Sequence, residues 1–194
     1  MCNLPNRLTL LRIALIPLLV VVYYLPLPGA HLAAGLLFLL AAATDWFDGY
    51  LARRLGQETS FGAFFDPVAD KLLVAVALLV VVESRPSLWV AAPAMVIICR
   101  EILISALREW MAELGRRTSV AVSRIAKVKT TFQMAAIAML LMAEPGVAAG
   151  PSRFLGAAGL TLLYLAAGLT LWTASVYLKV AWPDLVRRPP PGGL

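Results

Sequence analysis

The chain has 194 residues, of which 61% are hydrophobic and only 14% charged, with a mean hydropathy of +0.83. A soluble domain carries about 45–50% apolar and about 25% charged residues, so water-soluble and disordered classes are excluded. The 17 Lys and Arg against 11 Asp and Glu leave a formal charge of +6. Without a soluble domain to build a basic groove, this reads as membrane topology and anionic-lipid contact, and no nucleic-acid partner is expected.

A membrane span needs about 20 apolar residues, and runs of that size recur. The reading is an all-α integral membrane protein: six transmembrane helices preceded by a short interfacial helix formed by Met1 to Arg12. The first span covers Ile13 to Leu27, ended by Pro26 and Pro28-Gly29. The second runs from Leu32 to Arg53, and a polar connector extends from Arg54 to Ser60. The third covers Ala63 to Val82, closed by Glu83-Ser84-Arg85-Pro86. The fourth, Leu88 to Leu107, leads into the charged segment Arg108 to Arg124. The fifth spans Ile125 to Met142, stopped by Glu144-Pro145-Gly146, and the sixth Phe154 to Val180. Residues 1–182 form one domain and 183–194 a cytoplasmic tail. Trp89, Trp110, Trp172 and Trp182 suit interface anchoring or core packing equally. Cys2, Cys99 and His31 share no ligand spacing.

Most Lys and Arg lie at the N-terminus, after span two, after span four and at the C-terminus. The remaining connectors hold only Arg85 and Arg153. Positive residues are retained on the cytoplasmic side, so both termini are expected there, in agreement with an even number of spans.

Acidic residues inside apolar helices need an explanation. A charge at mid-bilayer costs about 2.5–3.5 kcal/mol on insertion scales, less near the interface. Asp45 and Asp48 end span two, and Asp66 and Asp70 begin span three. At about 100° per residue, Asp45, Asp48, Gly49, Ala52 and Arg53 fall within a stripe roughly 140° wide. Asp66 and Asp70 are an i,i+4 pair on one face. A short connector makes the two helices antiparallel neighbours, so the acidic faces can converge. Four close carboxylates repel unless cations intervene, and hard oxygen donors select two divalent ions, Mg²⁺ or Mn²⁺, that share substrate phosphates. Gly49 and Ala52 either admit a ligand to the backbone or serve ordinary helix packing. Asp48-Gly49 could form a turn, but its apolar flanks argue for helix.

Asp45-Trp-Phe-Asp48-Gly49-Tyr-Leu-Ala52-Arg53, then Gly62, Asp66 and Asp70, resembles the signature of the CDP-alcohol phosphotransferase family at each of its eight fixed positions. Pro5-Asn6-Arg-Leu-Thr9-Leu-Leu-Arg12, Asp66-Pro-Val-Ala-Asp-Lys71, Arg100-Glu101-Ile-Leu-Ile-Ser105-Ala-Leu-Arg108-Glu109-Trp110 and Lys127-Val-Lys129-Thr130 are similar to one bacterial branch of it, with Ala126 where that branch often has Gly. The resemblance implies six transmembrane helices, a homodimer and a polar cavity open to the cytoplasm, in a bacterial inner membrane. It implies transfer of a phosphatidyl group from CDP-diacylglycerol to sn-glycerol 3-phosphate, releasing CMP. It further implies that Asp45, Asp48, Asp66 and Asp70 surround two metals, with Asp70 also the general base. Gly49, Arg53 and Thr59, with the signature positions Ala52 and Gly62, would hold the CDP group, and Asn6 and Thr9 would close on the nucleotide.

The phosphate of the second substrate should meet cations. Arg108 and Lys127, at the edges of apolar helices, are the first candidates and Lys129 the next. Arg116 and Arg117 read as solvated topology determinants, and Arg100 with Glu101 as an internal structural pair. A sister transferase using inositol phosphate or phosphatidylglycerol is the nearest alternative. A cation transporter would distribute acids through the bilayer and near helix breaks, whereas these four lie toward one face.

Overall fold

The apolar runs, divided by Pro-, Gly- and Glu-containing breaks, fold into six α-helices: α1 (Leu4–Tyr23), α2 (Ala30–Leu55), α3 (Ser60–Ser84), α4 (Leu88–Glu113), α5 (Arg124–Met142) and α6 (Gly150–Val186). The computed structural model describes residues 4–55, 60–113, 124–147 and 149–186, except for the side chains of 4–8, 45–55, 60–61, 63–64, 113, 124–127, 180 and 183–185. Among the described residues there is no strand.

The separate interfacial helix expected at the N-terminus is corrected by α1, which is continuous from Leu4 to Tyr23. Nothing between Thr9 and Ile13 breaks a helix, and Pro5 occupies the first turn, where a missing N–H costs least. Pro17 is carried inside α1. The helix stops at Tyr23, short of the expected Leu27, and Gly29 at φ +83° turns the chain into α2. At the other end of the chain, α6 has 37 residues and continues past Val180 to Val186, about 55 Å at 1.5 Å per residue.

Helix α3 packs on α1, α2, α4 and α5, and α5 on α2, α3 and α6. Their shared core is apolar: Leu19, Ala34, Phe38, Leu73, Ala77, Leu78, Val81, Ile97, Ile137, Leu140, Leu141 and Leu163 are all buried. Ala34, Phe38 and Ala41 on α2, and Leu73, Ala77 and Val81 on α3, keep the three- to four-residue spacing of one helix face. Gly35 brings α2 close to α5, because a Cβ there would collide with the Met142 side chain. Such small-residue contacts let helices approach where no hydrophobic force drives them together.

The outward faces are also apolar. Leu36, Leu79, Leu88, Met95, Ile102, Leu103, Phe154 and Leu171 are exposed. Leu88–Ala112 and Gly150–Lys179, with mean hydropathies of 2.0 and 1.8, are long and apolar enough to cross a bilayer, and only 28% of each window is buried. A core helix of a soluble protein would be mostly covered, so these surfaces call for lipid. Thr9–Tyr23, Ala30–Thr44 and Val128–Met142 are shorter apolar segments. Trp89, Trp172 and Trp182 are exposed, which selects surface anchoring over core packing for those three.

Candidate functional site at the polar end of the bundle

The N-terminal parts of α1, α3 and α5 and the C-terminal parts of α4 and α6 carry polar groups that are absent from the apolar core. On α3, Asp66 and Asp70 are half-buried and one helical turn apart, with Pro67 between them. Thr9 on α1 is 1% exposed, and its hydroxyl donates to Asp66 Oδ1 at 2.5 Å. That bond ties α1 to α3. Arg12, three residues after Thr9, is completely buried. One residue past Asp70, Lys71 Nζ donates to Ser105 Oγ on α4.

A second polar group joins α4, α5 and α6. Glu101 Oε1 accepts from Lys129 Nζ at 2.5 Å and from Arg100 Nη1 at 3.1 Å. Arg100 Nη2 donates to Thr173 Oγ1 at 3.0 Å. Lys129 is 5% exposed, and Asp70 lies within electrostatic reach of its ammonium. One turn along α5, Gln133 is buried with no partner at Oε1 among the described residues, and on α6 the buried Thr170 has none among them at Oγ1. A buried charge this close to a carboxylate is stabilised where an isolated ammonium would not be. Glu101 therefore fixes the direction of the Lys129 side chain.

The structure brings together Thr9 with Asp66, and Lys129 with Glu101 and, at longer range, Asp70. Arg100 and Glu101 form the expected internal pair; sequence reading missed that Lys129 completes it. No local pattern signals that bond, because Glu101 lies at mid-α4 and Lys129 in the second turn of α5. Arg108, about two turns beyond Glu101 along α4, is exposed rather than buried. Gly62 is buried in the first turn of α3.

Asp45, Asp48, Gly49, Ala52 and Arg53 all lie in helical backbone at the end of α2, which settles Asp48-Gly49 as helix rather than turn. Their side chains, and those of Asn6, Arg124 and Lys127, lie outside the described residues, as do Thr59, Arg116 and Arg117. Helices α2 and α3 pack on one another. Among the described residues no group of three or more His, Cys, Asp or Glu gathers. The described part of the acidic site is the Asp66–Asp70 pair.

Fold and site together define a helical membrane protein with acidic chemistry at one end of the bundle. The sequence profile of the CDP-alcohol phosphatidyltransferase family matches residues 2–176, and the chain belongs to that family. It is 56% identical over 184 residues to a CDP-diacylglycerol–glycerol-3-phosphate 3-phosphatidyltransferase of Salmonella choleraesuis (strain SC-B67), covering 95% of this chain and 97% of the relative. Proteins of the same name from Escherichia coli (strain K12) and Shigella sonnei (strain Ss046) are 55% identical over the same shares.

Proposed function

We infer that this chain transfers the phosphatidyl group of CDP-diacylglycerol to sn-glycerol 3-phosphate, giving phosphatidylglycerophosphate and CMP, in the synthesis of anionic phospholipid. The observation that carries this reading is identity of 55–56% across 95% of the chain to enzymes named for that reaction. At such coverage the likeness extends beyond the shared signature to the segments that would meet the acceptor.

In this reading Asp45, Asp48, Asp66 and Asp70 would hold two divalent cations, Mg²⁺ or Mn²⁺. The donor chemistry of the described pair fits them: Asp66 and Asp70 offer hard carboxylate oxygens one turn apart, with Thr9 on a single oxygen of Asp66. When bound, the ions supply positive charge against the diphosphate. The rest is done by the chain. Asp70 accepts the proton of the attacking glycerol hydroxyl, whose oxygen forms the new bond to the phosphorus bearing diacylglycerol. The bond from that phosphorus to the bridging oxygen breaks, and CMP leaves with the electron pair. Phosphoryl-type transfer depends mainly on such positioning and neutralisation. Asn6, Thr9, Gly49, Ala52, Arg53, Thr59 and Gly62 hold the CDP group. Arg108, Lys127 and Lys129 meet the acceptor phosphate, and the Glu101 bond fixes the direction of Lys129.

The acyl chains of the donor stay in lipid while its headgroup enters the polar end. The helices form six spans of a bacterial inner membrane, with both termini and the site on the cytoplasmic side, and two copies form a homodimer. The concentration of Lys and Arg outside the connectors that hold Arg85 and Arg153 supports this orientation.

The test offers purified protein labelled CDP-diacylglycerol with glycerol 3-phosphate, inositol phosphate or phosphatidylglycerol, and identifies the lipid formed. Label in phosphatidylglycerophosphate alone is expected; label in another product reassigns the acceptor.

A further inference from the structure

At the end of the bundle away from Asp66 and Asp70, the α3–α4 turn meets the α5–α6 turn around a cavity of about 290 Å³. Val90, Leu140 and Leu160 form apolar walls, and Arg85 and Arg153 stand at its polar edge. These are the two basic residues of the connectors that the charge pattern places opposite the site, and both line this one cavity. We propose that it is a lipid site, taking the phosphodiester of a glycerophospholipid from the leaflet opposite the catalytic end.

Arg85 is preorganised for this. Its Nη2 donates to the Ala143 carbonyl and its Nη1 to Ser84 Oγ at 3.3 Å. A guanidinium has five N–H donors in a planar fork, so others remain for an anion. Arg153 has no partner among the described residues and is exposed. Glu144, also exposed, is the carboxylate on the lining. Two guanidiniums against one carboxylate leave a single positive charge, which matches a phosphodiester monoanion. Arginine favours such oxygens through paired hydrogen bonds.

The space itself is kept by Gly156. A Cβ there would meet only Ala143 Cβ, at 3.8 Å, whereas at Gly159 on the next turn it would come within 2.9 Å of Leu140 Cγ. Helix packing thus requires the absent side chain at Gly159 but not at Gly156, where its absence opens the cavity. Trp89, 74% exposed, and Phe154, 72% exposed, flank the same turns. Exposed aromatic residues at helix ends mark the headgroup level of a bilayer, the depth at which phosphodiesters lie. Apolar walls below a paired cationic edge suit a lipid, with its acyl chains, and not a free anion.

The experiment reconstitutes wild type, Gly156→Leu and Arg153→Gln into vesicles of phosphatidylcholine and phosphatidylglycerol. Each protein is re-extracted, and retained phospholipid is counted by native mass spectrometry. Wild type should retain one lipid more than either variant, while all three keep the same transfer activity in detergent, since neither position belongs to the site. Equal retention in all three overturns the proposal, as does loss in Gly156→Leu without loss in Arg153→Gln. Displacement of the lipid by inorganic phosphate would assign the arginines to a free anion and overturn it too. Arg153 is exposed, so its variant tests the idea even where Gly156→Leu disturbs folding.

Discussion

At the end bearing Asp66 and Asp70, side chain bonds side chain across helices: Thr9 to Asp66, Lys71 to Ser105, Lys129 to Glu101 and Arg100 to Thr173. At the opposite end, around the turns between helices, most side chains bond to backbone groups, as with Arg85 on the Ala143 carbonyl, Ser152 on Glu144 and Tyr164 on the Trp89 carbonyl. Glycines at positive φ, Gly29, Gly146 and Gly150, shorten those turns. One end thus invests charge in its interior, and the other reverses the chain with most of its charges at the surface. Buried charged networks are high in cost when incomplete, and intramembrane ionisable groups mark function by default. The difference separates an end that buries charge from an end that connects helices.

The largest effects should fall on the acidic end alone. Chelating divalent metal should stop CMP release, with Mg²⁺ or Mn²⁺ restoring it; release that persists after exhaustive chelation would remove the ions from the reaction. Asp70→Asn should lower turnover by about 10²–10⁴-fold, the usual contribution of a general base. Binding of CDP-diacylglycerol should survive, because Asp66 keeps its bond to Thr9. Full turnover in this variant would assign the proton to another group.

Glu101→Gln sharpens the comparison by attacking a positioning residue. It leaves the ammonium of Lys129, which is 5% exposed, without its carboxylate. A thermal melt should register a loss of about 1–3 kcal/mol, the range for an unsatisfied buried group. A purely structural role would lower stability only. The positioning role also raises KM for glycerol 3-phosphate while KM for the lipid stays level, and Glu101→Asp should recover part of it. Arg108→Ala, at an exposed position, should leave stability untouched and raise the same KM about tenfold, the equivalent of about 1.4 kcal/mol. An unchanged KM would return Arg108 to topology.

Helices and their order were legible because apolar runs end at Pro, Gly and Glu clusters. Boundaries were less so: α1 begins before Ile13 because nothing near Arg12 breaks it, and α4 continues into the charged segment as far as Glu113. The i,i+4 spacing of Asp66 and Asp70 put them on one face in advance. Cross-helix partners were not legible, since a bond such as Lys129 to Glu101 depends on how α4 and α5 meet rather than on any local pattern. The cavity between Arg85 and Arg153 was hidden for the same reason: their charges were visible in the sequence, but not their convergence.

The smallest effect belongs to a side-chain pair that joins two segments as at the polar end but sits at the other. Tyr24 Oη donates to Glu83 Oε2 at 2.5 Å, between the close of α1 and the last turn of α3. Both residues are exposed, so water competes for each group and takes over when the partner is lost. Tyr24→Phe keeps the ring against Tyr23, whose centroid is 5.4 Å away, and removes only the hydroxyl. The loss should be under about 1 kcal/mol in a thermal melt, with kcat and both KM values unchanged. A fall in activity from this substitution would mean that the connecting end transmits strain through α3 to Asp70, and the functional separation of the two ends would fail.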